Sequence, residues 1–540
     1  LQTAKIHFAI RKMTIEVYSV LMVIHITPNE MPAHFITLVN IHIQWVFVWY
    51  TLGLSSRPLW RQVTSMIAKR HLLSISIAAL LSGQLVNADT LLDVYELAVK
   101  NDPQLKAAEA SYRANIETEN LSRAGLLPQI TAQAYYQDAE SDSQGKGLQS
   151  SNLGGFNVID QTTSTDTESE FYSVSLSQPL FDLPAWFNFQ AGKKVSEQAE
   201  AQLAYDQQQL IVRTAEAYFN VLRGRENLDA SKAEERAAKR QLEQTQQRFD
   251  VGLIAITDVH EARAVFDSTV AQRYGFEGTL AIARENLSNL TGQEHNNLWS
   301  LKTDFPITMP EPASRAEWVN FALANNKLLQ VSNAGASSAY ETAQSKKMEH
   351  LPKVVGSFTT SKNDVDGTNI VRPDSGFASP PETYTESDSL RITLTMPLFA
   401  GGAVSAGRRQ AYEQYNAANY NAQTTQRQVI SNTRAQHIAV YTDVQTVNAR
   451  RQNIISTRSA LDATEAGYEV GTRNIVDVLD AQRRLYGAMR DYTNARYDYV
   501  IDVLKLKLNA GTLSPADIIA LNKWLQLPEP VSLKESGAKK

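Results

Sequence analysis

Two periodicities share this chain. In 169–178, Tyr172, Val174 and Leu176 alternate with Ser173, Ser175 and Ser177; later, Leu390, Ile392, Leu394 and Met396 alternate with Arg391, Thr393 and Thr395. A period of two gives a strand one oily and one polar face. Partner strands are predicted at about 128–138, with Ile130, Ala132, Ala134 and Tyr136, and at about 352–361, with Val354, Gly356 and Phe358. The segments between partners, 138–168 and 362–388, are rich in Ser, Gly, Asp and Thr and read as exposed loops. Elsewhere the period is helical. Stretches 91–124 and 315–348 carry apolar residues three and four apart. Two far longer helices are predicted from about Ala185 to Asp250, interrupted only by Gly192 and Gly224, and from Gly407 to Ala466. At the helical rise each would run about 90 to 100 Å. Shorter helices return over 255–290 and 474–509, after the turns Val251-Gly252-Leu253 and Val470-Gly471-Thr472, where glycine suits a helix C-cap. Ile211, Ala215, Tyr218 and Leu222 mark a packing stripe, yet alanine is frequent and bulky apolar residues are sparse. That pattern suits helices packed side by side in a wall better than a single thick core.

The pattern is written twice. Leu242, Val251, Gly252, Asp258 and Val259 align with Leu461, Val470, Gly471, Asp477 and Val478 at a constant spacing of 219 residues. The same spacing relates Thr214 to Thr433 and Gly292 to Gly511, and LLPQI at 126–130 answers HLPKV at 350–354. The expected organisation is therefore an internal two-fold repeat: 89–291, a linking or equatorial segment at 292–314, the second copy at 315–512, and an equatorial segment with a short tail at 513–540. Strands of about ten alternating residues suit a bilayer as tilted barrel staves, and equally a soluble sheet with one buried face. Four strands cannot close a membrane barrel, because their edges would expose unpaired backbone groups to lipid. The membrane reading therefore requires several chains.

Composition narrows the chemistry. The 540 residues include no cysteine, which excludes disulfides, thiolate metal sites, a cysteine nucleophile and a lipidated cysteine. The net charge of -5 and the lack of a basic patch argue against nucleic acid as a partner. Residues 1–88 differ from the rest, with seven Lys/Arg against two Asp/Glu. Within them, Met66 to Ala88 has a basic start, an apolar run and a small-residue end, the pattern of a cleavable secretory signal that would make Asp89 the first mature residue. Residues 1–65 are expected to be a non-native upstream extension, with a membrane anchor at 35–54 as the alternative. No GxxxxGK[ST] or GxSxG motif occurs, and His260, His295, His350 and His437 are scattered without ligand spacing. No enzyme and no cofactor is expected. Asp477 and Asp480, three apart, fall on nearly one helix face, either as an ordinary solvated face or as rings of carboxylates if copies gather around an axis.

From about Asp89 to Leu527 the chain resembles the TolC family of outer-membrane export channels and looks close to its founding member. The residues that carry the resemblance are LLPQI, YFNVL at 218–222, QTQQRFDVGLIAITDV at 244–259, EAGYEVGTRNIVDVLDAQ at 465–482 and ARYDYV at 495–500. The resemblance implies a mixed α/β membrane protein: a homotrimer whose twelve-stranded outer-membrane β-barrel, four strands per chain, is continuous with a long periplasmic α-helical coiled-coil barrel. It implies a passive exit duct through Gram-negative outer-membrane lipid for tripartite multidrug efflux and type I protein secretion. A periplasmic adaptor and a proton-driven or ATP-driven inner-membrane transporter would open its periplasmic end. Asp477 and Asp480 would then ring the aperture and could hold a blocking divalent ion. Tyr468 and Arg473 would latch it, with Thr257 and Asp258 as acceptors and Gln241, Glu465 and Arg496 as further members. The turns with Gly252, Leu253, Gly471 and Thr472 would meet the adaptor. The alternative from another class is a trimeric coiled-coil surface fibre anchored by a barrel, with no water path.

Overall fold

The computed structural model describes residues 89–150, 154–372 and 381–527. The upstream extension, the signal segment and the tail beyond 527 fall outside the described residues. Contacts divide the remainder into a strand unit, Leu127–Asp182 with Pro352–Met396, and a helical unit drawn from the rest.

The strand unit is one antiparallel sheet in the order β1-β2-β4-β5, made of β1 (Gln129–Ser150), β2 (Phe156–Phe181), β4 (Lys353–Arg372) and β5 (Thr383–Thr395). Register carries the alternation across all four strands. Ile130 pairs with Leu176, Leu176 with Phe358 and Phe358 with Leu390, while Ala132 pairs with Val174 and Gly356 with Ile392. The opposite face carries Thr131, Ser175, Thr359 and Ser389 in matching register. There Thr131 Oγ1 and Ser175 Oγ lie 2.6 Å apart. The oily face is left uncovered: Leu390 is 80% exposed and Ile392 70%.

The strands are longer than predicted. β1 has 22 residues and β2 has 26, so most of 138–168 and much of 362–388 are ladder where the sequence reads as loop. The reason lies in the side chains of these halves. Asp138, Glu140 and Asp142 face Glu168, Asp166 and Ser164, so both sheet faces turn polar and the alternation disappears while the backbone pairing continues. Threonines such as Thr162, Thr163, Thr165 and Thr167 favour the extended chain through their branched Cβ.

The helical unit contains α1 (Leu91–Asn101), α2 (Pro103–Ala124), α3 (Leu183–Asp250), α4 (Ile256–Thr291), α5 (Arg315–Asn325), α6 (Lys327–Met348), α7 (Ala403–Glu469), α8 (Ile475–Ala510) and α9 (Pro515–Asn522). The long helices, 68 and 67 residues, match the expectation. The two helical stretches at 91–124 and 315–348 do not stay whole. Asp102, whose carboxylate accepts from Leu105 N at 3.1 Å, starts a new helix before Pro103, and Arg213 holds it at 2.7 Å. Asn326 does the same in the second stretch, accepting from Leu329 N at 2.9 Å while its amide donates to the Asn509 carbonyl at 2.8 Å. A side-chain cap competes with the helical bond it replaces, so the helix ends there.

Bulky core gathers at one level of the long helices. Ile211, Ala215, Tyr218 and Leu222 of α3 are almost fully buried, as the stripe predicts, against Tyr497, Val500 and Leu504 of α8. Residues 292–314 cross this level and are pinned by phenols: Tyr218 Oη donates to the Trp299 carbonyl at 2.7 Å and Tyr499 Oη to the Thr308 carbonyl at 2.8 Å. There the short strands β3 (Ser300–Leu301) and β6 (Leu525–Gln526) pair. Away from this belt, α3 and α8 are joined by a buried pair, Arg490 Nη1 to Glu234 Oε2 at 2.5 Å, with side chains 12% and 6% exposed. Among the described residues no helix is long and apolar enough to cross a membrane.

Removing one member of that pair strands a buried charge. Arg490→Met is expected to cost about 3 to 5 kcal/mol, and adding Glu234→Leu should recover most of it. Denaturant unfolding followed by circular dichroism reads both; equal losses in the single and double variants would show that the pair is not energetically coupled.

Candidate functional site

The two helix reversals form the same backbone device. After α3, Gly252 N donates to the Phe249 carbonyl at 2.8 Å and Leu253 N to the Arg248 carbonyl at 2.9 Å. After α7, Gly471 N donates to the Tyr468 carbonyl at 3.1 Å and Thr472 N to the Gly467 carbonyl at 2.8 Å. These paired bonds close a Schellman cap, which requires a left-handed residue; Gly252 has φ +78° and Gly471 φ +81°. A Cβ at either would meet nothing within 4 Å, so strain, not crowding, selects glycine. Val251, Leu253 and Val470 stand exposed beside the turns.

The second reversal continues into a capping box. Asn474 Oδ1 accepts from Asp477 N at 2.8 Å, and Asp477 Oδ2 accepts from Asn474 N at 3.3 Å. Asp477 therefore starts α8 as well as facing outward. Asp480 is exposed and accepts from Arg483 Nη1 at 3.3 Å. Both carboxylates remain at the surface of the chain. Among the described residues, no group of three His, Asp or Glu is placed to hold a metal ion.

The structure brings together part of the expected latch. Gln241, Glu465 and Tyr468 line one cleft of about 720 Å³ between the end of α3 and the α7/α8 reversal, with Arg240, Gln244, Arg248 and Gln482. Glu465 Oε1 accepts from Gln482 Nε2 at 3.3 Å. Tyr468 packs against two small apolar clusters, one holding Ile475 and Leu479 and the other Val478 and Leu485. The Arg248 guanidinium covers the Tyr468 ring at 4.7 Å, and the buried hydroxyl of Tyr468 has no hydrogen-bond partner. Arg248 and Gln482 lie inside the family motifs at 244–259 and 465–482 without a role expected for either. The signal for Arg248 is the spacing of Arg240, Gln244 and Arg248, four apart on one helix face.

Four expected members stand elsewhere. Arg473 is exposed, with Nη1 3.9 Å from Asp477 Oδ2 in its own helical turn. Thr257 and Asp258 open α4, and no hydrogen bond or ion pair joins them to Tyr468 or Arg473 among the described residues. Arg496 requires correction. It lies on α8 about 30 Å along the helix from the turn, is 7% exposed, and donates from Nη2 to the Lys302 carbonyl at 2.5 Å. Beside it Glu226 accepts from Tyr497 Oη. Burial pushes the Glu226 carboxyl up, against the pull of Tyr497, Arg496 and Arg225. Arg496 is thus part of the core belt, since its charge is needed where buried carboxyl and carbonyl oxygens converge.

Comparison with known proteins follows the same outline. The pattern that defines the family described as Outer membrane efflux protein matches residues 94–293 and 318–512. The chain is similar to the outer membrane protein TolC of Vibrio cholerae, 35% identical over 464 residues that cover 85% of this chain and 99% of that protein. It is 29% identical to the alkaline protease secretion protein AprF of Pseudomonas aeruginosa over 431 residues, covering 79% of this chain and 85% of that protein. Its fold matches a solved structure of CusC with a TM-score of 0.63 at 16% identity, over 78% of this chain and 92% of that one.

The hydroxyl of Tyr468 has no partner within one chain, so any change of amide exchange at the reversals in Tyr468→Phe reports a partner supplied by another copy. Arg248→Gln removes the cation over the ring and should speed exchange there by the equivalent of about 0.5 to 1 kcal/mol. Faster exchange in Tyr468→Phe would mean that the hydroxyl has a partner.

Proposed function

We propose that this chain, which belongs to the outer membrane efflux protein family, serves in the outer membrane as the passive exit channel of export systems, assembled from three copies. The observation that carries the reading is the four-stranded sheet, whose outer strands β1 and β5 have no further strand beside them among the described residues and whose oily face is exposed. Such edges cannot lie in hydrocarbon, so copies must close on one another. Three copies supply twelve staves to a barrel, and their α3, α4, α7 and α8 helices supply the wall of a periplasmic tunnel.

The finer reading follows the family. The succession of helix, helix, strand, strand, long helix and shorter helix runs twice along the chain and supports an internal duplication, with copies at 89–291 and 315–512. A periplasmic adaptor meets the exposed side chains beside Gly252 and Gly471, and a proton-driven or ATP-driven inner-membrane transporter supplies the energy. Multidrug efflux and type I secretion are the two cargo routes; the name of the Pseudomonas relative speaks for the second. In a trimer, Asp477 and Asp480 give six carboxylates around one axis, which favours cations and divalent block. Tyr468, with its free hydroxyl, and Arg473, held only at 3.9 Å within its own chain, are suited to take partners such as Thr257 and Asp258 of a neighbouring copy. Charge-assisted bonds of this kind can be exchanged for adaptor contacts.

Single-channel recording in a planar bilayer tests the latch and the rings separately. Arg473→Ser and Tyr468→Phe are each expected to raise conductance; no change in either, or in the double variant, removes the latch. Asp480→Ala is expected to weaken cation preference and divalent block, and it is cleaner than Asp477→Ala, which also removes a capping box worth about 1 kcal/mol. An identical blocking curve in Asp480→Ala and in the Asp477→Ala, Asp480→Ala double variant would refute the rings.

A further inference from the structure

Two contacts set the antiparallel register of α7 against α8. Gln436 Nε2 donates to the Asp502 carbonyl at 3.2 Å, and Arg450 Nη1 pairs with Asp491 Oδ2 at 2.8 Å. Asp443 lies seven residues from each, so the helical period puts it on the same stripe of α7, level with Asp498 and one turn from Asp502. To this stripe α8 offers Asp491, Asp498 and Asp502. Arg450 answers its aspartate in charge, whereas Asp443 meets carboxylates of its own sign. Asp498 is drawn toward α3, where Arg223 Nη2 sits 2.5 Å from its Oδ1. Nothing comparable serves Asp443: its Oδ2 is closed off from solvent and has no hydrogen-bond donor. A carboxyl closed off from solvent and set opposite carboxylates of its own sign is held most readily while it keeps its proton.

We propose that Asp443 and Asp502 hold a proton between them and act as an acid-tightened clasp midway along the α7/α8 coil, which loosens when the proton leaves. The clasp stands on the α7/α8 contact alone and is independent of the transport reading. Burial, then the Asp502 and Asp498 charges, push the Asp443 carboxyl up to about 7. Those charges come from α8; α5 and α6, which also pack on α7, contribute none among the described residues. On α7 itself the neighbouring ionisable groups are Tyr441, exposed and two residues away, His437, buried and six residues away with its Nε2 unpartnered, and Arg450, exposed and committed to Asp491. The paired helices bind the proton more tightly than a free carboxyl does, so pairing is strongest in acid. It weakens as pH rises from the ordinary carboxylate range toward about 7 and is flat above.

The test is hydrogen exchange by mass spectrometry on the full chain in detergent. Peptides covering 436–450 and 491–505 are compared at about pH 6 and about pH 8.5 after correction for intrinsic exchange; linkage allows at most about a tenfold change per pH unit. Wild type is expected to lose about threefold to tenfold protection at the higher pH. Asp443→Asn, which supplies a donor to Asp502 without titrating, should stay protected at both. Asp502→Asn gives the same test should the first variant fold poorly. Corrected protection that is the same at both pH values in wild type, or a wild-type pH response in either asparagine variant, overturns the clasp.

Discussion

An unpaired sheet edge cannot rest in hydrocarbon, and the rest of this protein depends on that constraint. Each backbone N–H or C=O left without a partner in lipid costs several kcal/mol, so a run of them along β1 and β5 forbids a stable single-chain insertion. The oily face makes the demand sharper. Ile130, Leu176, Phe358 and Leu390 form one register row that nothing in the strand unit covers, which suits lipid and not water. The polar halves of the same strands then follow: where both faces carry Asp, Glu, Ser and Thr, the ladder has left the apolar layer and continues as sheet because its backbone bonds are still available.

The helical unit meets a different problem. Helices of 68 and 67 residues cannot all be buried by one core, and their apolar content is too low for it. The bulky side chains are therefore concentrated in one belt, where Tyr218 meets Phe219 edge to face, Phe219 tilts against Tyr497, and segment 292–314 is tied by phenolic hydrogen bonds. Away from the belt, cohesion passes to small residues and to specific polar pairs such as Arg490 with Glu234 and Arg450 with Asp491. Regions held by exchangeable charge are those where coils can separate at modest cost, and the reversals and the Asp443 position both belong to them.

Much of this was legible from residues. Alternation at Tyr172, Val174 and Leu176 marked strands because a half-covered sheet must alternate, and the lack of breakers marked the long helices because proline and glycine end them. The rest was hidden for physical reasons. Beyond Tyr136 no face of β1 needs to be oily, so periodicity carried no information about the ladder. Asp102 and Asn326 look like ordinary polar helix residues until Arg213 and the Asn509 carbonyl hold them as caps. Arg248 has no role in the sequence pattern because its partner, Tyr468, is 220 positions away. Arg496 followed the family pattern onto the latch, whereas burial beside Glu226 commits it to the core.

On the function proposed above, this chain closes its sheet only with copies of itself. Native mass spectrometry of the protein released from detergent micelles tests it most directly. Three copies of the chain in one particle are expected, persisting when detergent is exchanged for lipid nanodiscs. A single chain that inserts alone into nanodiscs with its strand content intact would contradict it.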